Sequence, residues 1–105
     1  MYEILKTEEF DRWLRKLKDR RAVARILIRI QRIEERGNFG DCESVGGEIR
    51  ELRIHYAKGY RIYFASYENK ILLLTGGDKS TQQTDINRAK NLWEIFKSEI
   101  RDDEN

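Results

Sequence analysis

Arg53, His55, Arg61 and Tyr63 are the residues of this sequence best typed and spaced for work on an anion. They stand in the stretch "ELRIHYAKGYRIYF", two on either side of the short turn "AKG". Residues two apart in a strand share a face, so each pair points the same way. A three-residue loop Ala57-Lys58-Gly59, with Gly59 at positive φ, sets Tyr56 opposite Tyr60, Ile54 opposite Ile62 and Leu52 opposite Phe64. All three pairs are apolar. A two-residue loop would place Ile54 opposite Tyr63 and break that match, so the apolar pairs select the first register. The other face then carries His55 opposite Arg61 and Arg53 opposite Tyr63. Like charges facing each other across strands cost roughly 0.2–1 kcal/mol. Two cations with no obvious acid between them suit an anionic ligand. Glu51 shares their face and counts against that reading, and a solvated sheet face stays open as the alternative.

A second candidate is the corner "GGDKSTQQTDI", Gly76 to Ile86, after the apolar run "ILLL". Ser80 and Gln83 have the spacing of a capping box, with Ser80 as N-cap. A helix N-terminus is a natural anion site, and Lys79 stands directly before this one. The corner is not a nucleotide-binding loop: Asp78 separates Gly77 from Lys79, and no glycine precedes Gly77 by five residues. Glycines to leave a strand and a serine to cap a helix explain the corner equally well.

The elements that must position these groups follow from periodicity. "YEILK" reads as a first strand. Thr7 can cap a helix whose apolar face is Phe10, Trp13, Leu14 and Leu17. Asp19 can cap a second, with Val23, Ile26, Leu27, Ile30 and Ile33 on one face and Gly37 as its stop. These two should form an antiparallel hairpin. Residues 37–48 read as a glycine-rich loop. Three strands follow, about Ile49–Tyr56, Tyr60–Tyr67 and Lys70–Gly76, as an antiparallel meander. A last helix runs from about Thr81 to Ile100, with Ile86, Ala89, Trp93, Phe96 and Ile100 recurring at steps of three and four. The expected class is α+β: a small antiparallel sheet in the order β-α-α-β-β-β-α. Its helices cover one face and leave the other open for function.

At 105 residues the chain has room for one small domain, 1–105, with one core. Charged residues make up 38% and hydrophobic ones 39%, a folded composition with a charged surface. The single cysteine, Cys42, excludes an internal disulfide and a cysteine-based zinc cluster, and it receives no role. No stretch reaches the roughly 18–20 apolar residues of a membrane span, and "MYEILKTEEF" lacks the features of a signal peptide. A cytoplasmic protein without cofactor or metal is the expectation. The tail, about residues 101–105, carries three of the 19 acids. Without them 21 bases face 16 acids, so the body is basic. That permits a nucleic-acid partner. Arg21, Arg25, Arg29, Arg32 and Arg36 form a basic stripe on the second helix, a solvated face or a track for phosphates.

The element order, "ELRIHYAKGYRIYF" and "GGDKSTQQTDINRAKNL" together resemble the RelE/ParE superfamily of type II toxin–antitoxin toxins, in particular the HigB-like addiction module killer proteins. The resemblance covers nearly the whole chain, and "GYRIYF" and "GGDKSTQQ-DI" are its specific part. It implies a microbial-ribonuclease-like fold and a toxin held inactive by a small antitoxin encoded beside it. Many members cut mRNA on the ribosome by promoting attack of a ribose 2′-OH on the adjacent phosphate. The ParE branch poisons DNA gyrase instead. A degenerate toxin that only binds antitoxin is a further alternative. By this resemblance Arg61 matches the sheet arginine that stabilises the scissile phosphate. Arg53 stands in the preceding strand among basic positions, and Lys79 is the basic residue after the last strand. Asp85 lies near the helix position where RelE carries a tyrosine. This chain has no tyrosine after Tyr67, so Asp85 or His55 would handle protons. Tyr63, Arg50, Lys58 and Gln82 are the expected substrate-binding positions, with Tyr63 available to stack on a base. Phosphoryl transfer is largely positioning and charge stabilisation, which fixed cations can supply.

Overall fold

Local rules account for the helices. In the computed structural model β1 is Glu3–Lys6 and α1 is Glu8–Lys16, the latter capped by Thr7, whose Oγ1 accepts from Phe10 N at 3.0 Å. The helix α2, Arg20–Arg36, is capped by Asp19 and ends at Gly37, whose φ of 65° is the left-handed value that favours glycine. Then come β2 (Cys42–Ser44), β3 (Arg50–Ile54), β4 (Tyr60–Tyr67) and β5 (Lys70–Gly77). A short 3₁₀ turn, Lys79–Thr81, leads into α3, Gln82–Glu104. The structure describes residues 1–104, of which 102–104 as backbone only. The side chains of the acidic tail lie outside the described residues.

The class is α+β, as the periodicity predicts, with three helices and five strands in one sheet of order β1-β5-β4-β3-β2. Three details differ from the expectation. The glycine-rich loop contains β2, which extends the sheet by pairing antiparallel with β3. The sheet is mixed, because β1 runs parallel to β5. The third difference decides where a site can be: the helices do not share one face. The α1–α2 hairpin buries Phe10, Ala22, Ile26, Ile30 and Ile33 on Leu52, Ile54, Ile62, Phe64 and Leu73. Helix α3 buries Ile86, Ala89 and Trp93 on the opposite face, against Ile49, Tyr63, Ala65, Leu72 and Leu74. The run Ile71–Leu74 is buried on both sides and therefore needs a cover on both. What stays outside that second cover is the end of the sheet beyond the start of α3.

The β3–β4 register also differs. The pairs are Ile54 with Tyr60, Arg53 with Arg61, Leu52 with Ile62 and Glu51 with Tyr63. The connection is five residues, His55 to Gly59, with Ala57 at φ 50° and Gly59 at φ 71°. The slip relative to the three-residue loop is two residues. Every side chain therefore keeps its face, and only its partner changes.

Candidate functional site

Two rows of side chains cross the α3 face of the sheet at the end next to the start of α3. One row is Arg53, Arg61 and Gly77; the next is Glu51, Tyr63 and Thr75. Glu51 is fully buried and sits at the centre. Its carboxylate accepts from Arg53 Nε at 2.9 Å, Tyr63 Oη at 2.9 Å and Gln82 Nε2 at 2.7 Å. Arg61 Nε stands 3.8 Å away. Burial works to raise the Glu51 pKa, but the hydrogen bonds from Arg53, Gln82 and Tyr63 and the charge of Arg61 outweigh it and hold it below its ordinary value. Burial and the same carboxylate push the Tyr63 phenol upward, so Tyr63 is a neutral donor. The two arginines thus face each other directly because an acid does lie between them.

The cations are unequal. Arg53 is bound twice, to Glu51 and to Glu43 Oε2 at 2.6 Å. Arg61 leaves only 7% of its side chain exposed. Its Nη1 donates to Gly59 O at 3.2 Å, and its Nε is buried without a hydrogen-bond partner. Lys79 is exposed, and its stem lies across the same glycine: a Cβ on Gly59 would stand 3.1–3.3 Å from Lys79 Cγ, Cδ and Cε. Gly59 is therefore where Arg61 and Lys79 converge, one on its carbonyl and the other over its Cα.

The corner itself is capped differently from the expectation. Asp78, not Ser80, is the N-cap. It accepts from Ser80 N at 2.8 Å and Ser80 Oγ at 2.5 Å, and Gln83 turns to Asn87 at 3.2 Å. The interposed 3₁₀ turn moves the start of α3 to Gln82, which frees Gln82 to reach Glu51. One turn on, Asp85 accepts from Thr81 Oγ1 at 2.5 Å and lies against the Cα of Gly77, where any Cβ would overlap its Oδ2. Burial raises the Asp85 pKa above the ordinary 3.8, partly offset by the Thr81 hydroxyl.

Of the residues singled out by sequence, Arg53, Arg61, Tyr63 and Gln82 meet at Glu51, and Lys79 and Asp85 flank them across Gly59 and Gly77. Lys58 is exposed in the β3–β4 connection, its carbonyl 3.5 Å from Lys79 N. Two do not join. Arg50 stacks on Phe39 and Phe64, 4.7 and 5.4 Å from their ring centres, on the face beneath the α1–α2 hairpin. His55 lies past the end of β3 and pairs with Asp41, with 70% of its side chain exposed. Of the α2 stripe, Arg29 is tied down, donating to the carbonyls of Arg53, Phe39 and Asp41 at 2.5, 2.9 and 3.1 Å. Sequence reading missed Glu51 as the hub and Thr81 as the partner of Asp85. Both had signals: Glu51 stands two residues from Arg53 on one strand face, and Thr81 four from Asp85 on one helix face.

Residues 12–96 match the family described as "Phage derived protein Gp49-like". The chain belongs to the Gp49-like family. Members are toxins of the RelE-superfamily type, so this is a toxin module of a toxin–antitoxin system, and the family implies an antitoxin partner. An uncharacterized protein of Haemophilus influenzae is 50% identical over 91 residues, which cover 86% of this chain and 91% of that one. Among solved structures, the solution structure of the conserved hypothetical protein HP0894 from Helicobacter pylori is similar in fold. Its TM-score is 0.51 at 15% identity, over 76% of this chain and 97% of that one. No helix among the described residues of this Gp49-like chain is long and apolar enough to cross a membrane.

Proposed function

We propose that this toxin is a ribosome-dependent mRNA endoribonuclease of the HigB-like kind, promoting attack of a ribose 2′-OH on the adjacent phosphate. The observation that carries the reading is the convergence of Arg61 and Lys79 on Gly59, with the half-buried Asp85 lying over Gly77, the strand partner of Arg61. Lys79 is the exposed cation that contacts the phosphate. Arg61 lies beneath it in a low-dielectric setting, where a fixed charge acts more strongly on charge developing above it. Asp85, whose pKa burial raises above its ordinary value, exchanges the proton. Arg53, already bound to two carboxylates, holds the arrangement in place. His55 lies outside this constellation and has no part in it.

The test is arrest of cell-free translation by purified Lys79→Ala and Arg61→Ala proteins. Each variant is expected to lose arrest and mRNA cutting by about 10²-fold or more, the scale for removing a stabiliser of transition-state charge. Variants that arrest translation and cut like the parent would remove the assignment. Gyrase-dependent DNA breaks with intact mRNA would replace it with the gyrase-poison reading.

A further inference from the structure

A cavity of about 400 Å³ lies between the α1–α2 turn and the β3–β4 connection, and Gly77 and Asp78 of the catalytic corner form one of its sides. Three lysines reach it, Lys16 from the end of α1 and Lys18 and Lys58 from the two turns. All three are exposed, and among the described residues none makes an ion pair. The two acids on the rim are already engaged. Asp19 accepts from Arg21 N at 3.0 Å and Ala22 N at 3.2 Å, and Asp78 accepts from Ser80. Tyr60 is buried at the bottom, and Trp13 stands beside it edge-on, with 6.5 Å between ring centres. The Trp13 ring reaches this place only because it lies against Gly76, where a Cβ would collide with it.

A cavity of nucleotide-holding size with an aromatic wall and exposed lysines at its mouth fits a single nucleic-acid strand. Bases of any identity stack on an aromatic ring, and lysines pair with the backbone without reading sequence. We propose that this cavity binds the stretch of RNA leading away from the Lys79–Arg61 corner, with one base on Trp13 and the neighbouring phosphates on Lys16, Lys18 and Lys58. The proposal rests on the RNA-cutting reading above and adds a second foothold for that substrate, on the other side of Gly77.

The experiment measures binding of a dye-labelled short ribo-oligonucleotide to the full chain by fluorescence anisotropy across a salt series. The triple variant Lys16→Ala/Lys18→Ala/Lys58→Ala is expected to bind about ten-fold or more weaker at low salt. Its slope of log affinity against log salt should be shallower by about 2, as three lost phosphate contacts on a single strand require. A control variant, Arg21→Ala/Arg32→Ala/Arg36→Ala, removes equal charge from α2 and is expected to bind within about three-fold of the parent. In a Trp93→Phe background, the remaining indole, Trp13, should be quenched by the oligonucleotide. Equal losses in the two triple variants, or no loss in the lysine variant, overturns the proposal. So does an unquenched Trp13. If the parent binds RNA and the lysine variant still binds and arrests translation like it, the cavity fails while the ribonuclease reading stands. A parent that neither binds RNA nor arrests translation overturns both.

Discussion

Glu51 shows how one residue can set the character of a site. A fully buried carboxylate is costly to leave unpaired, and here Arg53, Tyr63, Gln82 and Arg61 surround it. Removing it strands Arg61, which is itself nearly buried. Glu51→Ala is therefore expected to cost about 3–5 kcal/mol at pH 7 by urea unfolding. The pH dependence has a definite sign. Because the folded pKa of Glu51 is depressed below 4.5, its contribution is present above that value and fades as pH falls through the folded pKa. Asp85 has the opposite sign: its raised pKa favours the fold at low pH, and that part fades as pH rises through the folded value. The gap in stability between parent and Glu51→Ala should narrow as pH falls below 4.5. A penalty under about 1 kcal/mol at pH 7, or one that does not shrink in acid, would show that the carboxylate is not the hub.

At the scale of elements, the end of β5 presents neighbouring glycines to opposite faces. Gly76 lies under the Trp13 ring of α1, and Gly77 lies under the Asp85 carboxylate at the start of α3. A methyl group meets a packed indole at the first and a movable carboxylate at the second. Gly76→Ala should cost about 1–3 kcal/mol by overpacking. Gly77→Ala should cost less while displacing Asp85 and depressing mRNA cutting. Paired unfolding and cleavage assays check this, and the reverse order of stabilities would contradict the packing described. The elements also show what was legible in sequence. Thr7, Asp19 and Gly37 were readable because capping is local. The β3–β4 register was not, since loops of three and five residues preserve face parity and differ only in partner. The short strand β2 was hidden because Cys42-Glu43-Ser44 has little strand character of its own and exists through pairing with β3. The second cover was readable in principle from "ILLL", a run apolar on both sides. That Arg53, Arg61 and Tyr63 share a face was legible because alternation is robust, whereas Arg50 turns to the other face and His55 lies past the end of β3.

Over the whole molecule, the two helical layers bury most of the sheet, and the candidate site lies at the sheet end next to the start of α3. That end gathers Lys79, Arg61 and Asp85, and the lysine-lined cavity beyond Gly77 continues it. A basic body is consistent with capture of an RNA strand across this end, with association weakening as salt rises. The measurement that tests the central claim most directly is mapping of mRNA 5′ ends after adding the purified parent protein to a defined translation system, with and without ribosomes. New ends are predicted only when ribosomes are present, and they should vanish with Lys79→Ala. Full-length mRNA throughout a complete arrest of protein synthesis, or harmless addition of the folded protein, would contradict the account.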